Sequence, residues 1–129
     1  MSNFLTTSYR YTLTALPILA LGLLAGYTIT WWTIAPIAFL ITAFKKDVTP
    51  RQGFIASFVA GFFLWYTYAG FLNFANQGVM AARIGSMLAG GNSPVPTALI
   101  LSATGLIGGL IAGLGGLCGV YGRQLRIKN

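Results

Sequence analysis

A chain of 129 residues with 56% apolar and only 7% charged side chains reads as a single integral membrane domain, since soluble domains carry about 25% charged residues. Its net charge of +7 comes from eight basic residues and one acid, Asp47. The bases sit at the ends of apolar runs, not in a patch interleaved with aromatics, which argues against nucleic-acid binding.

The first apolar run covers 11–29. Arg10 before it and the small pair Ala25-Gly26 imitate a signal peptide, but the run is read as a retained first membrane helix. Pro17 removes one amide and predicts a bend near the N-terminal end, with Thr14 placed to bond the freed backbone. Gly22 and Gly26 cut a small notch in the same helix. A short turn, Tyr27 to Thr30, leads to Trp31 and Trp32, a pair suited to the interfacial belt. The second run, 31–44, is about 21 Å long at 1.5 Å per residue. That falls short of a hydrocarbon core of about 30 Å. The tryptophans and snorkelling Lys45 and Lys46 must make up the difference, and Pro36 predicts a second bend.

Lys45 to Arg51 is the longest polar run in the interior of the chain, with Asp47 as a solvated loop charge. It closes on a helix start: Thr49 as N-cap, Pro50 at N1 and Gln52 at N3, a capping box. The third run, 53–74, divides into a small half (Gly53, Ala56, Ser57, Ala60, Gly61) and an aromatic half (Phe62, Phe63, Trp65, Tyr66, Tyr68, Phe71, Phe74). Over 76–89, Val79, Met80, Ile84, Met87 and Leu88 recur at helical spacing, interrupted by Asn76, Gln77, Arg83 and Ser86. This predicts a short amphipathic helix on the membrane surface, ended by Gly90-Gly91. Ser93 as N-cap and Pro94 at N1 then open the fourth run, 95–121.

The fourth run carries the densest pattern in the chain. At 100° per residue, Gly105, Gly108, Gly109, Ala112, Gly116 and Gly119 fall on one side, and Leu106, Ile107, Leu110, Ile111, Leu114, Leu117, Cys118 and Tyr121 on the other. Each glycine would cost about 0.8–1.0 kcal/mol against alanine in a water-exposed helix. In lipid no water competes for the amides, so the helix persists and its bare face admits a close neighbour. Gly105, Gly109 and Gly113, and again Gly115 and Gly119, repeat the small-xxx-small spacing of such contacts. Cys118 is expected to be a buried, inert thiol.

Placing both termini in the cytoplasm puts Arg10, Lys45, Lys46, Arg51, Arg123, Arg126 and Lys128 inside and leaves Arg83 alone outside. The expected fold is therefore all-α: a four-helix transmembrane bundle, N-in/C-in, with a short interfacial helix between helices 3 and 4. The small halves of the third and fourth spans should pack closely at the cytoplasmic end, with the aromatic half of the third flaring away toward the outer side.

Chemistry is scarce. There is no histidine or glutamate, and the one aspartate is in a loop. Paired carboxylates, a histidine-based triad and a metal-ligand cluster are out of reach, so no enzyme, cofactor or metal is expected. No ionisable residue lies within a span, against coupled transport. Ser102 and Thr104 could line a pore through an oligomer or simply bond their own helix backbone. Asn73, Asn76, Gln77 and Arg83 form a polar cluster on the outer side, open to a ligand, anionic lipid or partner, or merely solvated.

Together Trp31-Trp-Thr-Ile-Ala-Pro-Ile-Ala-Phe-Leu40, Phe63-Leu-Trp65, Ala82-Arg-Ile-Gly85 and Thr104-Gly-Leu-Ile-Gly-Gly-Leu-Ile-Ala-Gly113 resemble a family of small bacterial inner-membrane proteins with no assigned activity. The resemblance implies topology and location and transfers no catalytic residue. The expected role is a non-catalytic membrane subunit, surrounded by the lipid bilayer, that associates with itself or with a larger membrane complex through the glycine face. The alternative is a homo-oligomeric channel or passive permease for a small uncharged or anionic solute, since basic rims and the lack of intramembrane acids disfavour cations.

Overall fold

Proline and threonine decide where the helices start. Thr49 accepts a hydrogen bond from the Gln52 amide (3.3 Å), and the Gln52 side chain accepts one back from the Thr49 amide (3.2 Å). With Pro50 at the first helical position, this capping box opens the helix as expected. The computed structural model describes residues 2–28, 33–90 and 95–128. Within them the chain is all-α, with five helices: α1 (Ser2–Thr28), α2 (Ile34–Phe44), α3 (Pro50–Ala75), α4 (Val79–Leu88) and α5 (Thr97–Lys128).

Several boundaries differ from the sequence reading, each for a local reason. α1 begins at Ser2, so Arg10 lies inside it and not ahead of it. The Thr14 hydroxyl bonds the Arg10 carbonyl at 2.9 Å, a turn before the carbonyl that Pro17 frees. α2 begins at Ile34, which puts Pro36 in its first turn. Amides there have no intrahelical partner in any case, so the proline is a start signal and forces no bend. Asn76 caps the end of α3 instead of opening α4. Gln77 (φ +57°) and Gly78 (φ +78°) then turn the chain through the left-handed region, and glycine meets that demand without strain. α4 ends at Leu88, capped by Ala89, and Gly90 (φ +62°) turns the chain just beyond. α5 starts just beyond Pro96, whose carbonyl accepts from the Leu99 amide at 2.9 Å. The tryptophan pair Trp31 and Trp32 and the expected cap Ser93-Pro94 lie outside the described residues.

α5 is the hub. It packs along α3 on one side and α2 on the other, while α1 leans on α3 and α2, and α4 folds back near the start of α5. α2 and α3 barely touch, so they are joined through α5 and α1. The core where these helices meet contains Ile18, Ile34, Ala38, Ala60, Leu64 and Ala112. Among the described residues, α3 (mean hydropathy 1.5) and α5 (1.9) are long and apolar enough to cross a membrane. At 1.5 Å per residue they reach about 39 and 48 Å. α2 and α4 are apolar but shorter.

Candidate functional site

The bare face of α5 is filled from within the chain. Gly105, Gly108, Gly109, Ala112, Gly116 and Gly119 are all buried, while Leu106, Ile107, Leu110, Leu114 and Tyr121 on the far side are exposed. Two rows of α3 meet this face. In the first, Phe54, Phe58, Phe62 and Tyr66 stack at successive turns, with ring centroids 6.0, 6.4 and 5.9 Å apart. A Cβ added to Gly113 would lie 2.9 Å from the Phe54 ring, one on Gly109 3.1 Å from Phe58, and one on Gly105 3.0 Å from Phe62. In the second row Gly53, Ser57, Gly61 and Trp65 face Val120, Gly116, Ala112 and Gly108. A Cβ on Gly61 would come within 2.6 Å of the Ala112 methyl and 2.7 Å of the Gly108 carbonyl, and one on Gly108 would strike the Trp65 ring. Both rows repeat every four residues, the ridge spacing along a helix surface.

The remaining glycines serve α2. A Cβ on Gly115 would lie 2.5 Å from the Ala35 carbonyl oxygen, and one on Gly119 would collide with Thr42 and the Phe39 carbonyl. The expected single seat is therefore two seats, occupied by α3 and α2. The face assigned to self-association or a larger complex is closed to an outside partner by the chain itself. Phe62 and Trp65, at the start of the aromatic half expected to flare away, instead pack on Gly105 and Gly108.

Polar groups concentrate where α2 and α5 meet. The Thr42 hydroxyl is fully buried and lies 2.8 Å from the Ala38 carbonyl and 2.9 Å from that of Gly116, the latter across the helix interface. The Ser57 hydroxyl, equally buried, has no hydrogen-bond partner among the described residues. Arg123, from the last turns of α5, spreads its guanidinium over the end of α2. It donates to the carbonyls of Thr42 (3.2 Å), Lys45 and Val48 (2.7 Å). A helix C-terminus leaves carbonyls unpaired and carries partial negative charge, so one fixed cation there answers both needs. Lys45 reaches the other way and donates to the Thr14 hydroxyl at 3.1 Å. Partial burial holds its pKa below the ordinary lysine value.

Asn73, Asn76, Gln77 and Arg83 do not form one site. Asn73 and Asn76 line a cavity of about 170 Å³ between α3, α4 and α5, with Thr104, Met80, Ile84 and Ile100 also in its wall. The Asn73 side-chain oxygen, Oδ1, is buried there without a partner among the described residues. Gln77 shares a separate, shallow hollow with Asn73 and Phe74. Arg83 is exposed on α4 and lines neither. The Thr104 hydroxyl bonds its own helix at the Ile100 carbonyl (3.0 Å), and Tyr66 stacks on Phe62. Cys118 corrects the expectation of a buried thiol: it is exposed on the outward side of α5.

The Arg123 cap, the α2 seat and the Phe54–Phe58 part of the aromatic row are not in the sequence reading. Only the last left a visible trace, aromatics at every fourth position from 54 to 66. No family model, curated protein or solved structure matches the chain.

Proposed function

We propose that the protein is a non-catalytic inner-membrane subunit of four spans, both termini in the cytoplasm, with α1, α2, α3 and α5 crossing and α4 at the outer surface. The supporting observation is an inversion of size. Most of what is buried is small: Ala38, Ala60, Ala112, Ser57, Thr42, Gly105, Gly108, Gly109, Gly113, Gly116 and Gly119, with Ile18, Ile34, Leu64 and Val120 the larger side chains among them. What is exposed is large: Leu24 at 69%, Phe71 at 67%, Phe74 at 85% and Leu114 at 55%. Water-soluble monomers rarely carry apolar patches beyond a few hundred Å², whereas helix contacts in lipid favour small residues because backbones then approach closely. Since the glycine face is already occupied, any partner subunit must dock on the large-residue outer faces.

The channel reading has less support. Gly61 against Gly108 and Ala112 leaves no room for a methyl group between α3 and α5, so no path runs between those two helices at that level. Reporter fusions test the topology. Green fluorescent protein after Asn129 should fluoresce and alkaline phosphatase there should be inactive, while phosphatase inserted at Gln77 should be active. The opposite pattern at either position removes the four-span reading.

A further inference from the structure

One recess combines charge of both signs at the level where the basic residues gather. Tyr9, Arg10, Leu13 and Thr14 of α1 form one wall, and Lys45, Asp47 and Val48 of the α2–α3 loop form the other, around about 250 Å³. Asp47 is the only acid in the chain. No ion pair joins it to Arg10 or Lys45 among the described residues, although all three line the same hollow. The Lys45 ammonium spends one proton on Thr14, and two remain free to donate. Arg10 is exposed, and below it Leu13, 41% exposed, continues into the apolar side of α1.

We propose that this recess binds the headgroup of a phosphatidylethanolamine molecule, with its phosphate on Arg10 and Lys45, its ammonium on Asp47 and its acyl chains along Leu13. The assignment rests on the membrane reading above. A phosphodiester needs cationic donors, which Arg10 and Lys45 supply as charge-assisted hydrogen bonds. A purely anionic headgroup would leave Asp47 facing like charge, whereas a primary ammonium gives it an opposite partner. Choline presents the same phosphate but no N–H donor, so it cannot bond the Asp47 carboxylate.

Native mass spectrometry of the full-length protein in mild detergent tests this. The probes are phosphatidylethanolamine, phosphatidylcholine and phosphatidylglycerol with identical acyl chains, and soluble O-phosphoethanolamine. Phosphatidylethanolamine should bind about tenfold tighter than phosphatidylcholine, the worth of one charge-assisted hydrogen bond. Arg10→Gln and Lys45→Gln should each weaken it several-fold, and Arg83→Gln should not. Asp47→Asn, on an exposed loop where folding is not at risk, should weaken phosphatidylethanolamine and strengthen phosphatidylglycerol. Equal binding of the ethanolamine and choline lipids, or an order unmoved by Asp47→Asn, overturns the headgroup assignment. O-phosphoethanolamine binding as tightly as the lipid overturns a lipid occupant in favour of a soluble phosphoester. Indifferent lipid binding by a chain whose reporter fusions give the expected topology sinks this proposal alone, whereas failed topology sinks the membrane reading.

Discussion

Gly61 and Gly70 lie on the same helix and should respond to alanine in opposite ways. At Gly61 the new methyl meets the Ala112 methyl at 2.6 Å and a backbone carbonyl at 2.7 Å, and the carbonyl cannot swing aside. Overpacking of this kind costs about 1–3 kcal/mol. At Gly70 nothing lies within 4 Å, so alanine should stabilise the helix by up to about 1 kcal/mol. Unfolding midpoints of Gly61→Ala and Gly70→Ala in sodium dodecyl sulfate titrations should move down and up respectively; a shift of the same sign in both would break the link between free space and stability. Ser57→Ala removes a buried hydroxyl that has no partner among the described residues. Its midpoint should stay level or rise, because an unpaired buried polar group is a net cost. Arg123→Gln takes the charge off the end of α2 and should cost about 1.5–3 kcal/mol, the range for hydrogen bonds to charged groups, with Arg123→Lys recovering part of it.

At the scale of the helix, Thr49→Ala removes one half of the capping box of α3 and should cost about 1 kcal/mol, readable as a lower thermal midpoint in detergent. The capping box, the Gly90 stop and the two sides of α5 were legible in the sequence because each depends on residues within one or two turns. What α5 packs against was not. Periodicity within one helix defines a face without naming its neighbour, and here the face divides between α3 and α2. Splitting α3 into a small and an aromatic half also hid its real order, which runs lengthwise: one row of rings and, beside it, a row of small residues that ends at Trp65. Cys118 failed for a broader reason. In water, apolar side chains mark the interior. Along α5 bulk separates inside from outside, so an apolar sequence around a thiol does not say which way the thiol faces.

At the scale of the molecule, that exposed thiol separates the membrane reading from a soluble one. If α5 crosses the bilayer, Cys118 faces acyl chains that a charged reagent does not enter, and a charged maleimide should fail to label it in intact membranes yet label it after denaturation. Rapid labelling of the native protein from either side would contradict a lipid-facing α5. The pairing of helices carries a consequence for biogenesis. Because α2 and α3 meet mainly by way of α5, α1, α2 and α3 have no complete arrangement of their own before α5 is made. They must wait, with the hydroxyls of Thr42 and Ser57 unshielded, until α5 slides between them. Truncation ahead of Thr97 would thus yield an open clamp rather than a smaller protein, a natural substrate for membrane quality-control proteases.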